Sequence, residues 1–235
     1  MSIYLTGDTH GDFTRLSKKN FPEQKDLTRE DYVIVTGDLG LLWKEDKTYK
    51  YWLDFLNSRN FTVLWVDGNH ESFSMLKEFQ EEEWNGGAVR KISDNIIHLE
   101  RGQVFEIEGK TFFTFGGARS IDRGHRIPYV SWWPEEEATY ADCQEAENNL
   151  ERYNYNVDYI ITHAIFPELI TPMFHKYNLK NMPQYSGASE KYLSNVYRNV
   201  EFKHWYFGHY HYDIDYGNFH CLYHRIVKLE EKEIL

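Results

Sequence analysis

The chain contains five short polar motifs that are rich in Asp, Asn and His. They lie at 7–12, 37–40, 68–71, 162–164 and 208–211, and each follows a short apolar run. Together they supply the candidate metal ligands Asp8, His10, Asp38, Asn69, His163, His209 and His211. Carboxylate and amide oxygens combined with imidazole nitrogens suit first-row ions such as Mn²⁺, Fe²⁺, Ni²⁺ or Zn²⁺ better than Ca²⁺. The inventory is large enough for two divalent ions.

In the first motif, one residue separates the carboxylate of Asp8 from the imidazole of His10. At the end of an extended segment, positions i and i+2 point to the same side, so both side chains are expected to reach one cation. The pair His209 and His211 repeats this spacing. Asp38 is expected to bridge two ions, since one carboxylate can bind both.

Two divalent ions at these motifs would support hydrolysis of a phosphoester. Ions held roughly 3.5–4 Å apart share a bridging water and lower its pKa toward neutrality. The resulting hydroxide is expected to attack phosphorus while the ions neutralise charge on the phosphoryl oxygens. His70 follows Asn69 and is expected to protonate the leaving oxygen or to stabilise its charge. Asp38 and His70 are therefore the predicted catalytic residues.

Each motif taken alone has a second interpretation. Asp-x-His is often a turn acid beside a surface histidine, and Gly-Asp after a strand is common in turns. His163 alone is equally typical of a hydrogen-bonded core histidine. The metal hypothesis depends on all five motifs occurring together, in order, each at the end of a predicted strand.

The first eighty residues alternate strand, loop and helix three times. Strands are predicted at 3–6, 32–36 and 61–66, and helices at 13–18, 47–57 and 72–80. This order predicts parallel strands joined by right-handed crossovers. Because ligands bind beyond the carboxyl ends of strands in open α/β sheets, the first three motifs should meet at one edge.

The remainder of the chain predicts short strands, two helices and one long loop. Strands are predicted at 96–99, 103–107, 111–115, 158–162, 204–207, 219–223 and 226–229, helices at 135–153 and 190–200, and irregular structure at 166–188. The segment 116–134 has no clear periodicity, and a loop of this length in a compact domain is typical of an active-site loop. No repeat or linker interrupts the chain, so 1–235 is predicted to be one domain.

Composition and charge restrict the class of protein and its partners. Hydrophobic residues make up 41% of the chain, enough for a large core, and no run of eighteen apolar residues predicts a membrane helix. The net charge of −11 argues against long nucleic acid as a partner, because such binding requires Lys and Arg at the phosphates. Two cysteines, and a first motif that begins at residue 7 without a basic leader, predict a cytoplasmic protein.

In order and wording, the five motifs resemble the signature of the calcineurin-like metallophosphoesterase superfamily: D-x-H, G-D, G-N-H-[ED], H and G-H-x-H. The resemblance extends over nearly the whole chain. It implies a fold of class α/β, a four-layer α-β-β-α sandwich in which helices flank two mixed sheets. It implies that Asp8, His10 and His211 bind one metal and that Asn69, His163 and His209 bind the second. Asp38 corresponds to the bridge, and His70 to the catalytic histidine that is not a ligand.

The second and fifth motifs separate the branches of this superfamily. The Ser/Thr protein phosphatases continue the second motif as G-D-x-V-D-R-G, whose Arg binds phosphate, whereas this chain reads Gly-Asp-Leu-Gly-Leu-Leu-Trp. The ending G-H-x-H is that of the general phosphodiesterase branches. A small phosphodiester or nucleotide is therefore the preferred substrate, and a phosphomonoester of the protein phosphatase type is the alternative. A non-catalytic scaffold is a remote alternative, because such a scaffold is expected to have lost ligands.

The segment 116–134 contains candidates for the missing phosphate contact. Arg119, Arg123 and Arg126 are predicted to bind substrate phosphate, which suits the bidentate geometry of guanidinium. The alternative is that they solvate a surface loop. Trp132 and Trp133 either stack on a base or, as we favour, pack beneath the loop.

The expected cofactors are two divalent metal ions, with Mn²⁺ preferred and Fe, Ni²⁺ or Zn²⁺ as alternatives. The expected partner is a small phosphorylated substrate. The short chain is typical of bacterial or phage members of the superfamily, and its oligomeric state is left open.

Overall fold

A computed structural model describes residues 1–180, 182 and 186–229 of the chain. The strands in this part are β1 Ile3–Thr6, β2 Tyr32–Val35, β3 Thr62–Trp65, β4 Glu81–Trp84, β5 Gly87–Ser93, β6 Ile96–Leu99, β7 Gln103–Ile107, β8 Lys110–Phe115, β9 Tyr159–Thr162, β10 His204–Phe207, β11 Ile214–Tyr216, β12 Phe219–Cys221 and β13 Val227–Lys228. The α-helices are α1 Lys47–Asn57, α2 Phe73–Leu76, α3 Tyr140–Arg152, α4 Pro167–Lys176 and α5 Ala188–Asn199. Short 3-10 helices cover Thr14–Leu16, Pro22–Asp26, Arg123–His125 and Pro134–Glu136.

The strands form two mixed sheets. The first has the order β13-β1-β2-β3-β6-β5-β4, and its four consecutive strands β1, β2, β3 and β6 are parallel. The second has the order β11-β12-β10-β9-β8-β7, with β12, β10, β9 and β8 parallel. Antiparallel pairings lie at both ends of each sheet. The predicted parallel arrangement of the first three strands is confirmed.

Successive side chains along each strand point to opposite faces of the sheet, and this alternation divides the hydrophobic core into layers. Ile34 and Leu64 of the first sheet meet Phe112 and Ile161 of the second in the space between the sheets. Val33 and Val35, which point the other way, pack with Leu56 of α1. The outer face of the second sheet packs against α3, α4 and α5. The order helices, sheet, sheet, helices confirms the predicted four-layer sandwich.

Several local predictions were wrong. The helix expected at 72–80 ends after one turn at Leu76, and the chain then forms the hairpin of β4 and β5, which was not predicted. Glu81, Glu82 and Glu83 lie on an exposed edge strand, where no hydrophobic alternation marks the sequence. The expected short helix at 13–18 is a 3-10 turn, Thr14–Leu16.

Two further predictions, the start of one helix and the irregular structure of one segment, also needed correction. The helix expected at 135–153 begins at Tyr140, where Thr139 and Asp142 form a capping box. The segment 166–188 was expected to be irregular, yet α4 begins at Pro167, because proline is well suited to the first helical position. Residues 181 and 183–185 of that segment lie outside the described residues.

None of the helices in the described ranges is long and apolar enough to cross a membrane.

Candidate metal centre

The five motifs lie immediately beyond the carboxyl ends of five parallel strands. The first three follow β1, β2 and β3 of the first sheet, and the last two follow β9 and β10 of the second. A hydrogen bond between His163 Nδ1 and the Thr36 carbonyl, 2.9 Å long, joins the two sets of loops. The predicted metal ligands of the five motifs therefore converge where the two sheets meet, as the position of ligands in α/β sheets predicts.

The first group of candidate ligands consists of Asp8, His10 and His211. Their ligand atoms lie within 4.8 Å of one another. The Nε2 atoms of His10 and His211 are 2.9 Å apart, and His211 Nε2 is 3.7 Å from Asp8 Oδ1. These are the residues that the family resemblance implied for one metal.

A second group consists of Asp8, Asp38 and His163. His163 Nε2 lies 3.4 Å from Asp38 Oδ2 and 3.1 Å from Asn69 Oδ1, so the amide oxygen of Asn69 adjoins the same position. In the neutral tautomer of His163 whose Nδ1–H donates a hydrogen bond to the Thr36 carbonyl, Nε2 carries the free lone pair that a metal requires.

Asp38 belongs to the second group and also approaches His10 of the first. Its Oδ2 is 3.4 Å from His163 Nε2 and 3.8 Å from His10 Nδ1. Its Oδ1 accepts a hydrogen bond of 2.7 Å from the backbone N–H of His70. The role of Asp38 as a bridging ligand stays a prediction, and Asp8 is the residue that the two groups have in common.

His209 belongs to neither group. Its backbone N–H donates to the carboxylate of Asp8, at 3.0 and 3.1 Å from the two oxygens, and its ring centroid is 5.0 Å from that of His163. Its assignment as a ligand stays a prediction. His211 lies beside His10 whereas His209 lies beside His163, and the family resemblance likewise assigned these two histidines to different metals.

The backbone at these positions is not the extended segment that the spacing rule assumes. The φ angles of His10, Asp38, His209 and His211 are 47°, 48°, 67° and 56°, in the left-handed region that non-glycine residues seldom adopt. Asp8 and His10 therefore meet through a turn rather than through an extended segment. Strained backbone of this kind concentrates at functional sites.

Glycines allow the loops to approach these side chains. A Cβ at Gly68 would lie 2.0 Å from Asp38 Oδ1. A Cβ at Gly37, which has a φ of +94°, would lie 2.1 Å from His163 Nδ1. No larger residue fits at either position without displacing a candidate ligand.

The donor set fits divalent cations. The side chains of Asp8 and Asp38 are 0% and 2% exposed, and the groups that form ion pairs with them are histidines. Burial raises the pKa of Asp8 to about 7 despite the opposing effect of His163. Burial opposes protonation of His163, but Asp38 and Asp8 raise its pKa to about 10. Two buried carboxylates that draw a proton onto a buried imidazole mark a place where positive charge is favoured.

The remaining histidines at the centre are held neutral. Burial is the main reason that the pKa of His10 falls to about 4 and that of His209 to about 3. A neutral imidazole is the form that binds a metal ion.

Two supporting residues were missed by the sequence analysis. Arg15 donates hydrogen bonds to the carbonyls of Gly7 at 3.1 Å and Asp8 at 2.8 Å, and also to that of Tyr223. Glu71, 2% exposed, accepts a 2.8 Å hydrogen bond from the Leu39 backbone N–H. Glu71 was visible as the last residue of the third motif, whereas no sequence signal marked Arg15.

A cavity of about 800 Å³ opens beside these residues. It is lined by Asp38, Asn69, His70, Ile121, Asp122, Arg126, Phe174, Lys180, Met182, His209, Tyr210, His211 and Tyr212. One part of the wall is polar and contains the candidate ligands, and another part is formed by apolar and aromatic side chains. A molecule in this cavity would therefore contact both kinds of surface.

Of the three arginines predicted to bind phosphate, Arg126 reaches this cavity. Its terminal nitrogens lie 3.3 Å from His70 Nδ1 and 3.4 Å from His70 Nε2, and its Nε donates to Asp122 at 2.7 Å. Arg123 pairs instead with Glu137 at 2.7 Å. The backbone N–H of Arg119 donates to Glu190 Oε1 at 3.2 Å, and neither Arg119 nor Arg123 belongs to the described lining.

Trp133 packs beneath the loop as we favoured from the sequence, whereas the catalytic role of His70 stays a prediction. His70 belongs to neither ligand group, and its ring centroid is 5.2 Å from that of His10. Burial lowers the pKa of His70, and Arg126 adds to this effect while Asp38 opposes it. Trp133 is 3% exposed and donates to Ser74 Oγ at 2.8 Å, so it packs beneath the loop.

Comparison with known families identifies the chain. The sequence profile of the family described as calcineurin-like phosphoesterase matches residues 1–213. A search of curated proteins found no match. Members of the family typically bind divalent metals, and the described residues provide two groups of candidate ligands. The chain therefore belongs to the calcineurin-like phosphoesterase family and is a phosphoric ester hydrolase.

Proposed function

We propose that this enzyme is a binuclear-metal-dependent phosphohydrolase whose substrate is a small phosphodiester or a nucleotide. The observation that carries the proposal is the pair of ligand groups that share Asp8, together with the position of Asp38 Oδ2, 3.4 Å from His163 Nε2 and 3.8 Å from His10 Nδ1. Asp8, His10 and His211 would hold one ion, and Asn69, His163 and His209 the other, with Asp38 contacting both. We propose Mn²⁺ as the preferred ion, because mixed oxygen and nitrogen ligands suit it.

The roles of the protein side chains follow from their positions. Divalent ions, when bound, supply a water of lowered pKa and neutralise charge on phosphoryl oxygens. Arg126 faces the cavity beside His70, where its guanidinium can bind a phosphoryl oxygen and hold the ester in place. His70 would then protonate the leaving oxygen or stabilise its developing charge. His70 is suited to this task because it lines the cavity beside Arg126 and is not among the residues proposed to hold either ion.

The cavity supports a small organic phosphoester as the substrate. Its volume of about 800 Å³ lies within the range of ligand pockets. Phe174 and Tyr212 offer aromatic surface to an organic group, and Lys180 offers positive charge. The net charge of −11 disfavours a long polyanion. We also propose that the protein is cytoplasmic, because its cysteines Cys143 and Cys221 are free thiols.

The experiment compares bis-p-nitrophenyl phosphate with p-nitrophenyl phosphate. Metal-stripped protein is re-supplied with Mn²⁺, and Asp38→Ala serves as the inactive control. We expect the diester to have the larger kcat/KM. A preference for the monoester would reject the diester proposal, and turnover that persists in Asp38→Ala would reject the metal-dependent mechanism.

A phosphomonoesterase is the second candidate function, and one observation favours it. Arg126 lies against His70 and supplies the guanidinium that the second motif lacks in comparison with protein phosphatases. Such a group suits a terminal phosphate as well as a diester. The comparison of the two nitrophenyl esters distinguishes the candidates.

A further inference from the structure

The side chain of Asn69 is held by a series of hydrogen bonds that leads away from the candidate metal centre. Its Nδ2 donates to Ser120 Oγ at 3.1 Å. Ser120 Oγ donates to Glu136 Oε2 at 2.6 Å, and the Ser120 backbone N–H donates to Glu136 Oε1 at 2.8 Å. Asn69, Ser120 and Glu136 are 5%, 2% and 0% exposed, so water competes little for these bonds.

The donor-to-acceptor direction of these hydrogen bonds determines which atom of Asn69 faces the candidate ligands. A serine hydroxyl has one proton, and Ser120 gives that proton to Glu136. Ser120 Oγ can then only accept from Asn69, and the amide nitrogen is its partner rather than the amide oxygen. Asn69 Oδ1 is consequently left on the side of His163, 3.1 Å from its Nε2. Only this oxygen has the lone pairs that a metal ion requires.

Ser120 and Glu136 lie near the two ends of the segment that the sequence analysis marked as an active-site loop. Ser120 is near its start, and Glu136 belongs to the 3-10 helix Pro134–Glu136 that follows it. The end of the segment is anchored separately, because Arg101 donates to the Glu135 carbonyl at 2.7 Å. The segment 116–134 thus contributes Ser120, which contacts Asn69, as well as Arg126, which lines the cavity.

We propose that Ser120 and Glu136 are positioning residues that fix the amide oxygen of Asn69 toward the second metal position. The proposal rests on the binuclear function proposed above. Partners behind a metal ligand commonly change metal affinity by about 10- to 100-fold. The expected effect is selective, because Ser120 contacts Asn69, whereas Asp8, His10 and His211 are implied ligands of the other ion.

The test is isothermal titration calorimetry of metal-free protein with Mn²⁺ alone. Ser120→Ala should weaken one of two binding events by about 10- to 100-fold and change the other by less than about threefold. Ser131→Ala is the matched control, because Ser131 Oγ accepts from the Ile127 backbone N–H of the same loop and does not contact Asn69. It should leave both events unchanged.

Glu136→Gln tests the donor-to-acceptor direction of the hydrogen bonds that lead from Asn69 to Glu136. The Ser120 backbone N–H would keep the amide oxygen of the new side chain, so its NH₂ group would face Ser120 Oγ. The hydroxyl proton would then be free to bond the Asn69 oxygen and draw it away from the metal. We expect the same selective loss of affinity. Because burial raises the pKa of Glu136 while the bonds from Ser120 oppose the rise, binding is measured at pH 8.

Three outcomes would overturn the proposal: unchanged affinities in Ser120→Ala, an equal loss at both sites, or Glu136→Gln that folds and binds like the wild type. If Glu136→Gln does not fold, Ser120→Ala and its control still decide the matter. Failure of the wild-type protein to bind two ions would instead reject the binuclear function, and is detected first.

Discussion

Asp8, Asp38 and His163 are each oriented by a backbone group from a different loop. The N–H of His209 binds the carboxylate of Asp8, the N–H of His70 binds Asp38, and the Thr36 carbonyl binds His163 Nδ1. These contacts fix each side chain through parts of the chain that are distant in sequence. Such preorganisation lowers the cost of assembling ligands around a cation.

For His70, the geometry predicts a loss of catalysis without a loss of metal. His70→Ala should bind as much Mn²⁺ as the wild type, because the proposed centre assigns His70 to neither ion and its imidazole lies beside Arg126. Its kcat should fall about 10²- to 10⁴-fold, as expected for removal of a general acid. The measurements are metal content by mass spectrometry and steady-state kinetics. A variant that has lost one ion would show that His70 is a ligand instead.

For Arg126, a neighbouring arginine provides a matched control. Arg126→Ala should lower kcat/KM roughly 10- to 100-fold, since a charge-assisted hydrogen bond contributes about 1.5–3 kcal/mol. Arg123→Ala removes the same side chain from the same loop, but Arg123 pairs with Glu137 outside the described lining of the cavity. It should retain nearly full activity. Equal effects of the two substitutions would contradict a direct role for Arg126.

The residue types in the motifs indicated which side chains come together. The local spacing of those residues was a poorer guide to the direction in which each side chain points. Asp8, His10 and His211 come together as the family resemblance implied, whereas His209 and His211, which have the same spacing as Asp8 and His10, face different residues. Spacing rules assume regular backbone, and positive φ angles at these positions remove that assumption. The contact of Arg15 with Tyr223 spans 208 positions, so no local pattern reveals it.

At the scale of elements, the loops after β1, β2, β3, β9 and β10 depend on close backbone approach. Gly37→Ala should lower stability by about 1–3 kcal/mol and weaken Mn²⁺ binding, because φ is +94° and the new Cβ would meet His163 Nδ1 at 2.1 Å. Thermal unfolding and calorimetry measure the two effects.

Gly124→Ala is the control for that substitution, because no atom lies within 4 Å of a Cβ built there. Its stability should change by less than about 0.5 kcal/mol. Equal melting temperatures and equal Mn²⁺ affinities for the two variants would contradict the packing described for Gly37.

Elements with continuous apolar runs were predicted well, and those defined by tertiary contacts were not. The run at 32–36 produced β2, and the pattern at 47–57 produced α1 with the same bounds. In contrast, β4 consists of Glu81–Trp84, whose pairing with β5 depends on cross-strand contacts such as that of Glu82 with Lys91, 2.8 Å apart. Acidic residues carry little intrinsic preference for strands, so single-sequence reasoning overlooked the hairpin.

At the scale of the whole molecule, a buried ion network on the first sheet links stability to pH. His98 is 1% exposed, with Nε2 3.3 Å from Asp67 Oδ1 and Nδ1 3.6 Å from Glu100 Oε1. Burial opposes its protonation, but Glu100 and Asp67 raise the pKa of His98 to about 9. The stabilisation is complete below the unfolded pKa of about 6.5 and is lost as the pH rises through about 9.

We therefore expect His98→Gln to change the pH profile of stability. The difference in unfolding free energy between wild type and His98→Gln should shrink by roughly 3 kcal/mol between pH 6 and pH 10. Urea denaturation in the presence of a chelator measures this difference, and metal binding then does not contribute. A difference that is constant over this range would show that folding does not raise the pKa of His98.

The measurement that bears most directly on the proposed function is a titration of metal-free protein with Mn²⁺ in which bound metal and hydrolysis of bis-p-nitrophenyl phosphate are followed in the same samples. We predict that activity reaches its maximum at two ions per chain and that Asp38→Ala remains inactive at every Mn²⁺ concentration. Full activity with one ion per chain, or activity in protein shown to contain no metal, would contradict the binuclear centre.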